Sequence, residues 1–259
     1  MRPLMSDDDL GSEWECATAA GNPVGGLATR GFRNTGGPPT SMRIVAMPSA
    51  SIVLQAGDGC FEVDGGHTGG LIAGIAPGVQ SVRCDRVDCV EVRISPLLAY
   101  PVLGIPPHEL TGGLVDTDVV WGPHALQLRH QLAEAPDWAS RFALVNGFLL
   151  DRAAPRGPDP EVVASWNHIL HTAGRATVAD LTELTGWSPR RLRTRFGRQI
   201  GTSPKRAAMI VRFRHAFERL VGGAPVAETA IACGYVDQPH LHRDVVAFTG
   251  TTPAMVSGR

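Results

Sequence analysis

The sequence predicts an α+β fold in two parts: a small β-sandwich or barrel with accompanying helices, then an all-α domain carrying two helix-turn-helix units. Three observations carry this division. Between Met42 and Leu98 the apolar runs are short, β-branched and punctuated by Gly, Pro and Asp, as in MRIVAMP, ASIVLQAGDG and VDCVEVRISP. From Pro123 the apolar spacing turns helical. Two C-terminal stretches, Thr177–Pro204 and Pro225–Pro253, share one grammar. Each is a short amphipathic helix, a Gly-aromatic pair (Gly186-Trp187, Gly234-Tyr235), a second helix, then Gly-x-x-Pro (Gly201 to Pro204, Gly250 to Pro253).

Taken in order, residues 1–152 form the first domain and open on an irregular, Gly- and Pro-rich lead-in. The strands that follow pack into the sandwich or barrel. HALQLRHQLAEAP and DWASRFALVNGFLLDR are helices, the second capped by Asp137, and they either supply a dimer surface or cover the barrel. Residues 153–160 hold three prolines and a glycine, which cannot continue a helix and make a stiff spacer. Residues 161–259 read as helical throughout, with helix-turn-helix units at 177–200 and 225–249.

Charge divides along the same line. The net charge of −1 combines 11 Lys/Arg and 18 Asp/Glu in residues 1–160 with 13 and 7 in residues 161–259. A basic domain beside an acidic one confines any phosphate-binding surface to the C-terminal part. No run of roughly 18 apolar residues spans a membrane, and the N-terminus lacks the apolar core of a signal peptide, so a cytoplasmic location and no membrane partner are expected. The five cysteines are odd in number and irregularly spaced, which favours reduced thiols over a disulfide framework.

In the first unit, Val178, Leu181 and Leu184 are expected to share one buried face, with Trp187, Leu192 and Phe196 completing a small core. Ser188 is the N-cap of the second helix and Pro189 its first residue. Burying Leu192 and Phe196 leaves Arg190, Arg191, Arg193, Thr194, Arg195 and Arg198 on other faces. Arginine forks bond guanine O6 and N7 or grip phosphate, and this many cations on one short helix repel one another unless a polyanion is near. Arg190, Arg193 and Thr194 are placed at the groove-facing edge; Arg191, Arg195 and Arg198 suit phosphate. A long helix, SPKRAAMIVRFRHAFERL, then fixes the separation of the units. The second recognition helix, capped by Asp237, offers Gln238, His240, His242 and Arg243 to double-stranded DNA.

On these residues the chain resembles the AraC/XylS family of transcription regulators. The likeness covers about Val162 to Pro253 and rests on Leu181, Gly186, Ser188, Arg191-Leu192, Arg195-Phe196, Gly201 and Ser203-Pro204. The second unit adds Ala230, Cys233-Gly234-Tyr235, Asp237-Gln238, His240-Leu241, Arg243, Phe248-Thr249-Gly250 and Thr252-Pro253. The resemblance implies a seven-helix domain whose two recognition helices enter successive major grooves, and RNA polymerase as a partner of members that activate. Two departures stand out. Asp244-Val245-Val246-Ala247 replaces the aromatic and basic residues usual after Arg243, and Thr229 stands where a larger aliphatic residue is usual. Both are expected to weaken the second unit, Asp244 by lying beside the phosphates. The stretch from Gly70 to Leu110 is similar to effector-sensing domains of the family, which implies a cupin-like β-barrel plus helices that binds a small-molecule effector, forms a homodimer, or both.

No cofactor or metal is expected. His67 sits alone in a Gly-rich loop, and Cys84-x4-Cys89 with Cys60 lacks a partner pair of zinc ligands. No Ser/His/Asp or paired-carboxylate arrangement argues for an enzyme. The competing readings are a catalytic N-terminal barrel targeted to DNA, and a regulator acting mainly through protein contacts.

Overall fold

The computed structural model describes residues 2–3, 14–21, 26–34, 40–75, 79–110, 112–153 and 157–257. In the N-terminal part, β1 (Arg2–Pro3), β4 (Thr40–Ile44), β6 (Phe61–Val63), β7 (Gly66–Thr68) and β9 (Gln80–Cys84) form one sheet in the order β1-β4-β9-β6-β7. The second sheet runs β11-β8-β5-β10-β3-β2, from β2 (Trp14–Thr18), β3 (Leu27–Asn34), β5 (Ala50–Gln55), β8 (Gly70–Ala73), β10 (Asp88–Ile94) and β11 (Leu114–Asp116). The strands thus make two hydrogen-bonded sheets rather than one closed barrel among the described residues.

The second sheet is buried on both faces, which is why β10 reads as an almost unbroken apolar run. Successive side chains on a strand point to opposite faces. Val90, Val92 and Ile94 pack with Ile52, Leu54 and Ile72 against the helices, whereas Cys89 joins Phe32, Phe61 and Val82 between the sheets. The covering helices are α1 (Pro96–Leu103), α2 (Thr117–Trp121), α3 (Pro123–Glu134) and α4 (Trp138–Arg152), with a 3-10 turn at Pro107–Leu110. Of the two roles open to α3 and α4, their buried faces (Leu128, Leu132, Val145, Leu149) serve to cover the sheet. Asp137 caps α4 by accepting from the Ser140 N–H at 2.7 Å. Arg129 of α3 is 6% exposed and donates to the carbonyls of Gln55, Gly57 and Gly59 at 3.2, 2.7 and 2.6 Å, tying α3 to the end of β5.

The C-terminal part is helical: α5 (Pro160–His171), α6 (Val178–Thr185), α7 (Pro189–Ile200), α8 (Pro204–Val221), α9 (Val226–Ala232), α10 (Gln238–Thr249) and α11 (Pro253–Val256). Its core centres on Trp166, Leu192, Phe196, Ile210, Phe213, Phe217 and Leu241. The expected spacer at 153–160 is not wholly free chain. Pro160 is the first residue of α5, Asp159 is hydrogen-bonded to α7, and residues 154–156 lie outside the described set.

The two parts pack together. Ala46 and Ile75, just beyond β4 and β8, are buried in the helical core, and Leu97 of α1 lies against it. Helix α7 touches both α1 and the 3-10 turn. Gly201, which ends α7 at φ 89°, comes so close to Pro107 that a Cβ there would lie 2.5 Å from the Pro107 carbonyl oxygen. Arg214 of α8 reaches Met47, with Nη1 3.4 Å from Sδ, and pairs with Glu218 at 2.7 Å. Burial lowers the Arg214 pKa, the charges of Arg93 and Arg30 add to that shift, and Glu218 opposes it.

Arg129→Met keeps the aliphatic stem and strands the buried Gln55 carbonyl and the half-buried carbonyls of Gly57 and Gly59. It should lower stability by about 3 kcal/mol, read as a fall in the urea midpoint with no change in the far-ultraviolet spectrum of the folded protein.

Candidate nucleic-acid interface

The first helix-turn-helix is set by its caps. Thr177 and Asp180 form a reciprocal capping box at the start of α6: the Thr177 N–H donates to Asp180 Oδ2 at 2.8 Å, and the Asp180 N–H donates to Thr177 Oγ1 at 3.2 Å. Gly186 ends α6 in the left-handed region at φ 66°, and Gly234 turns the chain between α9 and α10 at φ 74°. Ser188 then caps α7 by accepting from the Arg191 N–H at 3.3 Å. Leu181 is 1% exposed, but Val178 and Leu184, expected beside it, are 36% and 49% exposed. Steps of three residues walk about 60° around a helix of 3.6 residues per turn. The three side chains therefore fan out, and this small core closes only over the middle one.

On α7, Leu192, Phe196 and Ile200 are buried, while Arg190, Arg191, Arg193, Thr194, Arg195 and Arg198 are all exposed, as is Ser188. The structure therefore brings every predicted side chain of this unit to one helix surface. It also ties two of them down. The Arg191 guanidinium lies 4.6 Å from the centre of the Trp187 ring. Arg195 makes a two-pronged pair with Asp159, Nε to Oδ2 at 2.7 Å and Nη2 to Oδ1 at 2.8 Å. Gln199 closes the latch, donating to Asp159 Oδ2 at 2.8 Å and accepting from the Asp159 N–H at 2.7 Å. Burial opposes ionisation of Asp159, but the hydrogen bonds from Gln199 and Arg195 and the charges of Arg195 and Arg191 outweigh it and hold its pKa below the ordinary carboxylate value. The latch therefore contributes fully above the ordinary carboxylate pKa and is lost as pH falls through the depressed one. Sequence reasoning missed Asp159: before a proline at a helix start it reads as a cap, and no local signal points to Arg195.

In the second unit, Gln238, His242 and Arg243 are exposed on α10. His240 is half-buried, its ring edge-on to Tyr235 with centroids 5.1 Å apart, and its N–H caps onto Asp237 at 2.7 Å. Asp244 overturns its expectation. It is 5% exposed and turned inward, with Oδ2 3.3 Å from Arg212 Nη2 of α8, and the Arg212 guanidinium stacks 4.4 Å from the Tyr235 ring centre. Its place beside the buried Val245 and one turn after Leu241 puts it on the core side of α10. Burial first, then the charge of Asp244, pushes the Tyr235 hydroxyl above its ordinary pKa. Thr229 is fully buried and its hydroxyl has no hydrogen-bond partner.

Among the described residues no group of three or more His, Cys, Asp or Glu converges on a metal position. Burial, with Asp85 and Cys60 adding, pushes the Cys84 thiol up to about 11, and burial raises Cys89 well above its ordinary value. Both sulfurs therefore rest as thiols at neutral pH. His67, expected in a loop, lies exposed on strand β7.

Substitutions at three of these residues separate their roles. Thr229→Val removes an unsatisfied buried hydroxyl at nearly constant volume and should stabilise the chain by about 1 kcal/mol, read in a urea titration. Asp244→Ala leaves the half-buried Arg212 without its carboxylate partner and should cost about 2 kcal/mol without tightening duplex binding. Asp159→Asn frees Arg195 to engage one more phosphate; duplex affinity should rise severalfold, with a log–log salt dependence steeper by about 0.9.

Residues 181–259 match the family model described as a helix-turn-helix domain. The chain is 35% identical over 71 residues to an uncharacterized HTH-type transcriptional regulator, YbfI, of Bacillus subtilis (strain 168), a match covering 27% of this chain and only 26% of that relative. It is 32% identical to a probable AraC family transcriptional regulator from Rhodopseudomonas palustris CGA009 in its solved structure, over 39% of this chain and 97% of that one, at a TM-score of 0.36. ToxT from Vibrio cholerae O395, solved bound to (E)-4-(8-methylnaphthalen-1-yl)but-3-enoic acid, covers 90% of this chain and 98% of its own at 10% identity and a TM-score of 0.51. At that identity the likeness shows the fold alone, a sheet-rich domain followed by a helical one. With two glycine-turned helix-turn-helix units spaced by α8 and a family match over residues 181–259, the C-terminal part of the chain is a helix-turn-helix domain of the AraC type.

Proposed function

We propose that this chain is a sequence-specific, double-stranded-DNA-binding transcription regulator that reads DNA with α7 and α10. The observation that carries the reading is the row of exposed residues Arg190, Arg191, Arg193, Thr194, Arg195 and Arg198 on a helix whose opposite face is locked into the core. Arg190, Arg193 and Thr194 contact base edges, and Arg191, Arg195 and Arg198 hold phosphates once duplex competes for them. Gln238, His242 and Arg243 extend the footprint, and His240 does so from its place on Tyr235. Residues 1–152 form the regulatory domain and 161–259 the DNA-binding domain, which the intimate packing of α7 on α1 couples mechanically. The likeness in fold to ToxT, solved with an organic acid bound, supports a small-molecule response in the regulatory domain. RNA polymerase is the partner through which a DNA-bound regulator of this kind would act. The relatives are regulators rather than enzymes, and no helix among the described residues is long and apolar enough to cross a membrane.

Selection of bound sequences from random duplex with the full-length protein tests this reading. Two enriched blocks separated by one helical turn, roughly 34 Å, are expected. Arg193→Ala should cost about 1–3 kcal/mol on the selected site and relax preference at one position. Arg198→Ala should weaken all duplexes alike and flatten the salt dependence. Equal losses on selected and random DNA for Arg193→Ala would remove it from the base-reading set, and no enrichment would leave the protein-contact reading in its place.

A further inference from the structure

Helices α7 and α10 correspond residue for residue. Both hold 12 residues, between Ser188 and Gly201 in one case and Asp237 and Gly250 in the other. Each N-cap side chain accepts from the N–H three residues on, Arg191 or His240, and each closing glycine lies in the left-handed region. The buried sides match as well: Leu192, Phe196 and Ile200 stand where Leu241, Val245 and Thr249 do.

On the exposed sides the likeness ends. Arg190 and Arg193, at the base-reading edge of α7, have Pro239 and His242 as their counterparts. Arg191, Arg195 and Arg198 have His240, Asp244 and Ala247. Helix α10 carries a single arginine, Arg243 in the place of Thr194, against five on α7. The counterion release available to α7 is therefore mostly missing from α10, and its preference has to come from other contacts.

The geometry of α10 shows which side chains those are. A helix turns by about 100° per residue, so Pro239 and Val246, two turns apart, fall on one line on the side opposite Leu241, Val245 and Phe248. His242 and Arg243 flank that line. Pro239 is exposed, and Val246 is 39% exposed and stands outside the helical core. The most outward line of this helix is thus apolar, where the same line on α7 holds Arg190. Among the groups that bases present in the major groove, the one apolar feature is the thymine methyl, and apolar side chains recognise it.

We propose that α10 reads an A·T-containing block through thymine methyl groups, with Pro239 and Val246 as the side chains that contact them. The proposal rests on the reading of the chain as a DNA-binding regulator. Gln238, in the same first turn as Pro239, suits the adenine paired with such a thymine. Arg190 and Arg193 of α7 suit guanine, so the two halves of the site differ in base composition as well as in the source of their affinity.

Deoxyuridine pairs with adenine as thymidine does and lacks only the methyl. Each thymine of the selected duplex is replaced by deoxyuridine in turn, and the affinity of the full-length protein is measured by fluorescence anisotropy at several salt concentrations. Within one block, one or two replacements should each weaken binding about fourfold, the loss of one buried methyl, with the log–log salt dependence unchanged. Val246→Ser and Pro239→Ser should each bind the thymine duplex as weakly as the wild type binds the matching deoxyuridine duplex, and should lose nothing further when that thymine is replaced. Neither variant changes a charge, so a retained salt dependence shows that α7 still engages phosphate. A bound duplex in which no thymine is sensitive, a sensitivity that both variants retain, or a selected site with a single block or a second block of G·C pairs alone each overturns the proposal and leaves the regulator reading standing. If no duplex is bound, that reading fails and the proposal falls with it.

Discussion

The burial of α8 is the constraint on which the rest of this molecule depends. Ile210, Phe213 and Leu220 are fully enclosed, and the helix packs against α5, α7, α9, α10 and α11. Both recognition helices are held against this one rod, so their separation is set by its length and not by loops. Its remaining faces are also committed. Arg212 reaches into the second unit to meet Asp244, and Arg214 reaches out to Met47 of the sheet domain. Ser203 caps its start by accepting from the Arg206 N–H at 3.3 Å, which places the first turn of α8 directly after the glycine that ends α7. A helix this long is stable chiefly because tertiary packing holds its apolar stripe.

A small domain must also manage a crowd of like charges. Five arginines on α7 repel one another in the absence of DNA. Two devices relieve that cost: the stacking of Arg191 on Trp187 and the two-pronged pairing of Arg195 with Asp159. Asp159 is only partly buried, so the pair is worth little in overall stability. Its importance is positional, because it joins the segment leading out of the N-terminal domain to α7. In the second unit the arrangement is different. Arg212 is sandwiched between Asp244 and the Tyr235 ring, a buried cluster that serves the core rather than the interface.

The packing of α7 on α1 and the 3-10 turn joins the two domains directly. Gly201 and Pro107 meet backbone to backbone, with no side chain between them to absorb a shift. Arg190, Arg193 and Thr194, in the N-terminal half of α7, are exposed. A shift of α1 or of the 3-10 turn in this geometry must be met by a shift of α7.

The sequence by itself determined the local elements and their chemistry. Helix caps and turns are short-range devices, so Ser188, Asp137, Asp237, Gly186 and Gly234 could be read one residue at a time. The exposed arginines were legible because Leu192 and Phe196 fix the helix phase. The two-part α+β organisation followed from the change of apolar period. What only the tertiary structure decided involves residues far apart in the chain: Asp159 on Arg195, Asp244 on Arg212, Gly201 on Pro107, and sheets that stack without closing. Asp244 shows the physical reason. Its spacing put it next to Arg243 on the DNA side, but a helix turns by about 100° per residue. Whether the inward-facing carboxylate is tolerated depends on a cation thirty-odd residues away, and no local pattern encodes that partner.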